Sequence, residues 1–271
     1  LNDLHQLHSE CDQRFESFRL GEIAIDAVLE TPLDLVAYCL AEAGFSRTGT
    51  LSIQSDIPTG AGMGSSAAVI AAVLRLVESK KSEVEKLLKQ VRYCERLQHG
   101  RGSSIDAASV TYGGVVKVES DGVESLDVDL GEGWYSWNSG KPVSSTGQVV
   151  SHVRKRFSQS AIWREFHQVT NQLLTGLTVR DSALIADSIM TNHRLLTELG
   201  VVPEPVQKVI SRFQQCGYAA KVCGAGSLKG NSGGQVLVYS SDNNPTDFAK
   251  ALGIQLSPVQ QAYQGAQLVS G

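Results

Sequence analysis

The residues best suited to chemistry open with a run of small side chains, Pro58-Thr-Gly-Ala-Gly-Met-Gly-Ser-Ser-Ala-Ala68. Ala67, Ile70, Val73, Leu74 and Val77 then repeat at helical spacing, so Gly60, Gly62 and Gly64 form a loop that ends where a helix begins. The first amides of a helix have no partner within it, and glycines let backbone approach an anion closely; together they suit phosphate binding. Ser65 and Ser66 add hydroxyls at the same place. No Lys follows the last glycine, which excludes a Walker A loop, and the spacing is not that of a dinucleotide fingerprint. Any one glycine is explained by a tight turn; three glycines with two serines at a helix start favour an anion.

Two acids follow. A helix over Ser82 to about Leu97 places Val84, Leu88 and Val91 on one stripe, and Glu95 is next along it. A carboxylate facing inward needs a cation or a donor, which a metal ion or a neighbouring Arg92 or Arg96 could supply. Asp106 ends the polar loop His99-Gly-Arg-Gly-Ser-Ser-Ile-Asp106, where a helix cap or turn role is the ordinary one. His99 and His193 lack a second ligand at metal spacing and read as surface or hydrogen-bonded imidazoles. Ser65 is outside any nucleophile-elbow pattern, so acyl transfer is not indicated.

These groups need a scaffold. Ile23 to Ala43 reads as helix with a boundary at Thr31-Pro32, and Gly49 to Ile57 as a strand with Leu51, Ile53 and Ile57 on its buried side. Val115 to Val118 is a further strand after Gly113-Gly114, and Glu119 to Gly147, rich in Gly, Ser and Asp, reads as a connection between lobes. Helices are expected at Thr146 to Phe157, Ile162 to Thr178, Ser182 to Leu199 and from Pro203 or Pro205, then strands at Tyr218 to Cys223 and Val236 to Tyr239 around a second glycine loop. At 271 residues the chain holds about two domains, here 1–143 and 144–271.

Composition narrows the class. Lys and Arg total 24 against 28 Asp and Glu, so no cationic field exists to hold nucleic acid. The longest apolar run, Ala67 to Leu74, is far short of the ~20 residues that span a bilayer, so no membrane partner is expected. Cys11, Cys39, Cys94, Cys216 and Cys223 are odd in number and lack CxxC spacing, as expected of reduced thiols and a cytoplasmic location. The chain opens at Leu1 without an initiator Met, so the native start is expected upstream.

Three separated motifs carry a family resemblance. The 58–68 run resembles the Pro-x-Gly-x-Gly-Leu-Gly-Ser-Ser-Ala phosphate loop of the galactokinase, homoserine kinase, mevalonate kinase and phosphomevalonate kinase (GHMP) family, with Met63 for Leu. Glu95 through Asp106, continuing to Thr111-Tyr-Gly-Gly114, is most similar to the mevalonate kinase branch and its Glu-x-x-x-His-Gly-x-Pro-Ser-Gly-x-Asp pattern. Lys221-Val-Cys-Gly-Ala-Gly226 resembles the family's third motif.

The resemblance implies an α+β, two-lobed GHMP kinase fold, with an N-terminal lobe of the ribosomal protein S5 domain 2 type, a C-terminal ferredoxin-like lobe and the active site in the cleft between. It implies ATP and Mg²⁺, with Pro58, Gly60, Ala61, Gly62, Met63, Gly64, Ser65 and Ser66 on the nucleotide and Ser66 and Glu95 on the metal. Asp106 matches the catalytic aspartate, and Asp106, Thr146 and Ala225 the substrate pocket. The implied reaction is γ-phosphoryl transfer to a small-molecule alcohol, first of all mevalonate, with phosphomevalonate or a sugar or heptose phosphate as alternatives, or else a catalytically silent nucleotide-binding relative; a homodimer is compatible with it. The family's opening segment, with its Lys and Glu-His pair, has no counterpart here. Gly102 and Ser104 replace the Pro and Gly of the Asp loop, and Ser227 to Ser232 replaces a glycine run, where Lys229 could supply a cation.

Overall fold

The computed structural model describes residues 32–45, 50–57, 62–78, 83–96, 104–120 and 122–269. Readings that fall on 23–31, Cys11, Pro58, Gly60, Ala61, His99 and the loop to residue 103 lie outside the described residues. Contacts divide the chain into two compact units. The first takes the described residues of 32–57, 64–126 and 262–269, and the second takes 62–63 and 127–261.

In the first unit, α1 (Pro32–Glu42), α2 (Ser65–Val77), α3 (Val84–Cys94) and α4 (Ser104–Tyr112) precede an antiparallel ribbon of β1 (Val115–Val118) and β2 (Val123–Leu126). Helix α2 is rich in Ala and buries Ala67, Ile70, Ala71, Val73 and Leu74, so neighbouring helices approach it closely. Helix α3 buries Leu87, Leu88, Val91 and Cys94 along one stripe, as the 3.6-residue period demands. Cys39 and Cys94 are free thiols within this core.

Residues 50–57 form no strand, and Leu51 (36% exposed) and Ile53 (47%) are not covered, contrary to the expectation for Gly49 to Ile57. Alternation specifies a face that could be buried, but a strand also needs a hydrogen-bonding partner, and none pairs with it among the described residues.

In the second unit the order is β3 (Trp134–Asn138), α5 (Thr146–Phe157), α6 (Ile162–Val179), α7 (Ser182–Glu198), α8 (Glu204–Gln215), β4 (Ala219–Val222), β5 (Gln235–Tyr239), α9 (Thr246–Ala251) and β6 (Ser257–Pro258). The sheet runs β4-β5-β3-β6, all antiparallel. This β-α-β-β-α-β order, with several helices in its first crossover, is that of a ferredoxin-like lobe. Period two separates the sheet's faces: Ala220, Val222, Val236 and Val238 pack with Ile210 and Phe213 of α8, while Ala219 and Tyr239 pack with Ile185 and Ile189 of α7.

The division falls after Leu126, not at 143/144. The reason is strand pairing: β3 meets β5 from Trp134↔Tyr239 to Asn138↔Gln235, so a stretch that reads as connection is a central strand. Its aromatic β-formers Trp134, Tyr135 and Trp137 were the signal.

Residues 262–269 strap the first unit. Gly114 N donates to Ala262 O (2.6 Å), Ala266 N to Val110 O (2.8 Å), and Arg75 Nε to Ala266 O (3.0 Å). Gly113 has φ +70°, and a Cβ there would stand 2.3 Å from the Gln264 carbonyl carbon. Gly113→Ala is therefore expected to destabilise the protein by about 2 kcal/mol or more, from backbone overlap plus a disfavoured dihedral. Thermal denaturation beside Gly122→Ala, whose added Cβ meets nothing within 4 Å, checks this: the control should melt like the parent, and equal melting of both variants contradicts the strap.

Candidate active site

Helix α2 starts at Gly64, whose left-handed φ of 64° suits glycine and which contributes no capping side chain. Gly62 is also left-handed, at φ 76°. The helix start therefore offers backbone N–H groups with no side-chain cap, as an anion site requires. Asp106 reaches this start directly: a Cβ on Gly64 would lie 3.3 Å from the Asp106 Cβ and 3.5 Å from its Oδ1. Asp106 is the third residue of α4, so the cap role is not the one it occupies; Ser104 opens the helix instead.

Glu95 follows α3 with helical backbone, φ −62° and ψ −16°, and continues the inward stripe. It is 0% exposed, and among the described residues neither carboxylate oxygen has a hydrogen-bond partner. Among the described residues no arginine pairs with it: Arg92 is exposed, and the Arg96 guanidinium lies 5.2 Å from the Tyr93 ring centre. Burial, then the Asp106 carboxylate, push the Glu95 carboxyl up to about 7, while the nearby Ser66 hydroxyl pulls it down without reaching hydrogen-bonding geometry. Gly64, Ser66, Glu95 and Asp106 thus meet within the first unit, drawn from α2, α3 and α4.

An orphaned, buried carboxylate beside a second acid and a hydroxyl fits a hard divalent cation such as Mg²⁺. Among the described residues no group of three His, Cys, Asp or Glu side chains could hold a metal alone. A cation here would complete its shell with ligand oxygens and water, the usual way Mg²⁺ is held on phosphates.

In the second unit Thr146 is the exposed first residue of α5, after a capping box of Ser145 and Gln148. Ser144 N donates to Ser227 Oγ (3.1 Å) and Leu228 N donates to Ser144 Oγ (3.1 Å). This reciprocal lock ties the start of α5 to the loop that carries Ala225. Serines 83 positions apart give no local signal of it. The loop is tightly seated: a Cβ on Gly226 would lie 2.0 Å from Val201 O, and one on Gly224 3.2 Å from Gly62 O. Met63 and Lys229 are exposed. Of the two readings of His193 the surface one fails: it is buried, with an Nδ1 that has no partner among the described residues, and burial with Lys221 lowers its pKa to about 4.

Comparison with known proteins supplies the class and then the branch. A family profile described as GHMP kinases N terminal domain matches residues 30–114. Mevalonate kinase of Thermococcus sibiricus is 30% identical over 247 residues, 84% of this chain and 70% of that protein. Mevalonate kinase of Methanocaldococcus jannaschii is 24% identical over 76% of this chain, which spans 66% of that relative's length. The fold agrees: the crystal structure of the Methanococcus jannaschii enzyme matches with TM-score 0.74 and 17% identity, over 90% of this chain and 78% of that one. The chain belongs to the GHMP kinase family, in the branch of the mevalonate kinases.

A carboxyl raised by folding binds its proton more tightly in the folded chain than in the unfolded one. Stability from Glu95 is therefore greatest below pH 4.5 and is lost as pH rises to about 7, by about 3 kcal/mol. Glu95→Gln is expected to flatten the stability profile across that window in metal-free buffer and to melt higher than the parent at neutral pH. Parallel profiles for the two proteins would place the Glu95 carboxylate in contact with solvent or a donor.

Proposed function

We propose that the protein is an ATP-dependent kinase that transfers the γ-phosphoryl group to the primary alcohol of mevalonate, in the cytoplasmic supply of isoprenoid precursors. One observation carries the reading: a buried carboxylate with no hydrogen-bond partner among the described residues, Glu95, sits with Asp106 and Ser66 at a glycine-opened helix. Such a site is unfavourable until a cation and an anion arrive together.

Gly62, Met63, Gly64, Ser65 and Ser66 present loop amides and hydroxyls to the nucleotide phosphates, and the family motif adds Pro58, Gly60 and Ala61, which lie outside the described residues. Ser66 and Glu95 would hold Mg²⁺, which when bound neutralises phosphate charge. Asp106, against Gly64, orients the acceptor hydroxyl and takes its proton as the new O–P bond forms and the bond to the ADP oxygen breaks. Thr146 and Ala225 match the family's acceptor-pocket positions, and within the second unit the Ser144–Ser227 lock ties the segments that carry them. Family membership supports the reaction class, and the mevalonate kinase relatives support the acceptor.

Asp106→Asn is expected to lower turnover of mevalonate by about 10²-fold or more, the usual contribution of a positioned base, while ATP binding persists. A coupled ADP-release assay with calorimetric ATP titration separates the two effects. Unchanged turnover removes Asp106 from the chemistry.

A further inference from the structure

Helices α2 and α4 both begin at the candidate site, α2 after Gly64 and α4 with Asp106 in its first turn. Further along, the two are joined through one residue of the strap. Ala266 N donates to Val110 O of α4 (2.8 Å), and Ala266 O accepts from Arg75 Nε near the end of α2 (3.0 Å). Arg75 is buried, and its Nη1 is held by Glu78 Oε2 (3.2 Å). A guanidinium taken out of water and fixed at two nitrogens is a rigid tie, which a solvated basic residue at a helix end would not be. Gly265 is seated as tightly: a Cβ there would lie 2.0 Å from Thr111 O of α4. Ala67 and Ala71 of α2 and Ala107 and Ala108 of α4 are fully buried in the core that the two helices share. Side chains this small permit close approach but interlock little, so the angle between the helices depends on what ties them together.

Arg75 stands about 14 Å along α2 from Ser66, at ~1.5 Å per residue. Over such an arm an angular slip of roughly 5° moves the helix start by about 1 Å, and a misplacement of that size can cost a reaction about 10²-fold. We propose that Arg75, acting through Ala266, is a positioning residue for Asp106: it fixes the angle at which α4 presents that carboxylate to Gly64 and Ser66. The inference rests on the role proposed above for Asp106. It also specifies which quantity moves. The proposed nucleotide loop runs into α2 and travels with it, whereas Asp106 belongs to α4, so a loosened tie separates the base from the phosphates without unseating them.

Two substitutions in the whole chain test this. Arg75→Lys keeps a charge beside Glu78 and removes the planar fork that reaches Ala266. Gly265→Ala drives a methyl group into Thr111 O and lifts the strap with Arg75 intact. Each is expected to lower kcat for mevalonate tenfold or more while calorimetric affinity for magnesium-ATP stays within twofold of the parent. In an Asp106→Asn background, Arg75→Lys is expected to cost less than a further twofold, because groups that act as a unit are not additive. Equal losses in both backgrounds, or an unchanged kcat, overturn the proposal, as a merely stabilising arginine would give the same loss with or without Asp106. Amide hydrogen exchange needs no reaction: Arg75→Lys is expected to speed exchange across α4 tenfold or more and to leave α8 as in the parent. If exchange behaves so in a parent that does not phosphorylate mevalonate, the tie holds and the acceptor assignment falls. Exchange in α4 that Arg75→Lys leaves unchanged overturns the tie whatever the activity.

Discussion

Glu95 is held where a charge is least welcome, with no solvent, no hydrogen-bond donor among the described residues and a second carboxylate nearby. A carboxylate in such surroundings either keeps its proton or acquires a cation. The structure leaves room for either outcome, because the Ser66 hydroxyl is close but not engaged and Arg96 is turned toward Tyr93. The cost of that arrangement is borne by the packing around it. Ile70, Leu74, Leu87, Val91 and Cys94 form a core close enough to fix the backbone on either side of the acid.

Small residues make the approach of the two acids feasible. Gly64 brings the Asp106 side chain against the start of α2, where any Cβ would press on it. Ala107 and Ala108 then let α4 lie deep in the same core. The strap of residues 262–269, anchored through Arg75 and Val110, holds α2 and α4 from outside. Distant parts of the chain thus support one small constellation, which agrees with the rule that strained or charged sites are stabilised by what surrounds them.

Much of this was legible in the residues themselves. The period of α3 turned Glu95 inward, and in the second unit three long helices start and end within a residue of their expected positions, while the fourth starts within a residue of its own. Local periodicity is read well because it is a property of neighbouring residues. What failed depends on partners. Gly49 to Ile57 has the alternation of a strand, but pairing is a non-local event. Trp134 to Asn138 was hidden among Gly and Ser, and only its register with β5 makes it central. The Ser144–Ser227 lock and the strap share this character, as does the choice between arginine and metal at Glu95: helical spacing allowed both, and only the placement of Arg92 and Arg96 decided against the ion pair.

The central claim is that Glu95 alone gives up its proton only near pH 7, whereas it is fully ionised when a metal nucleotide is bound. Carboxyl-selective ¹³C NMR of Glu95 across a pH titration, with and without magnesium and a non-hydrolysable ATP analogue, reads this state directly. The account predicts a midpoint of about 7 in the free protein, falling well below 4.5 in the complex. A midpoint near 4.5 in the free protein, or one that the metal nucleotide leaves in place, contradicts it.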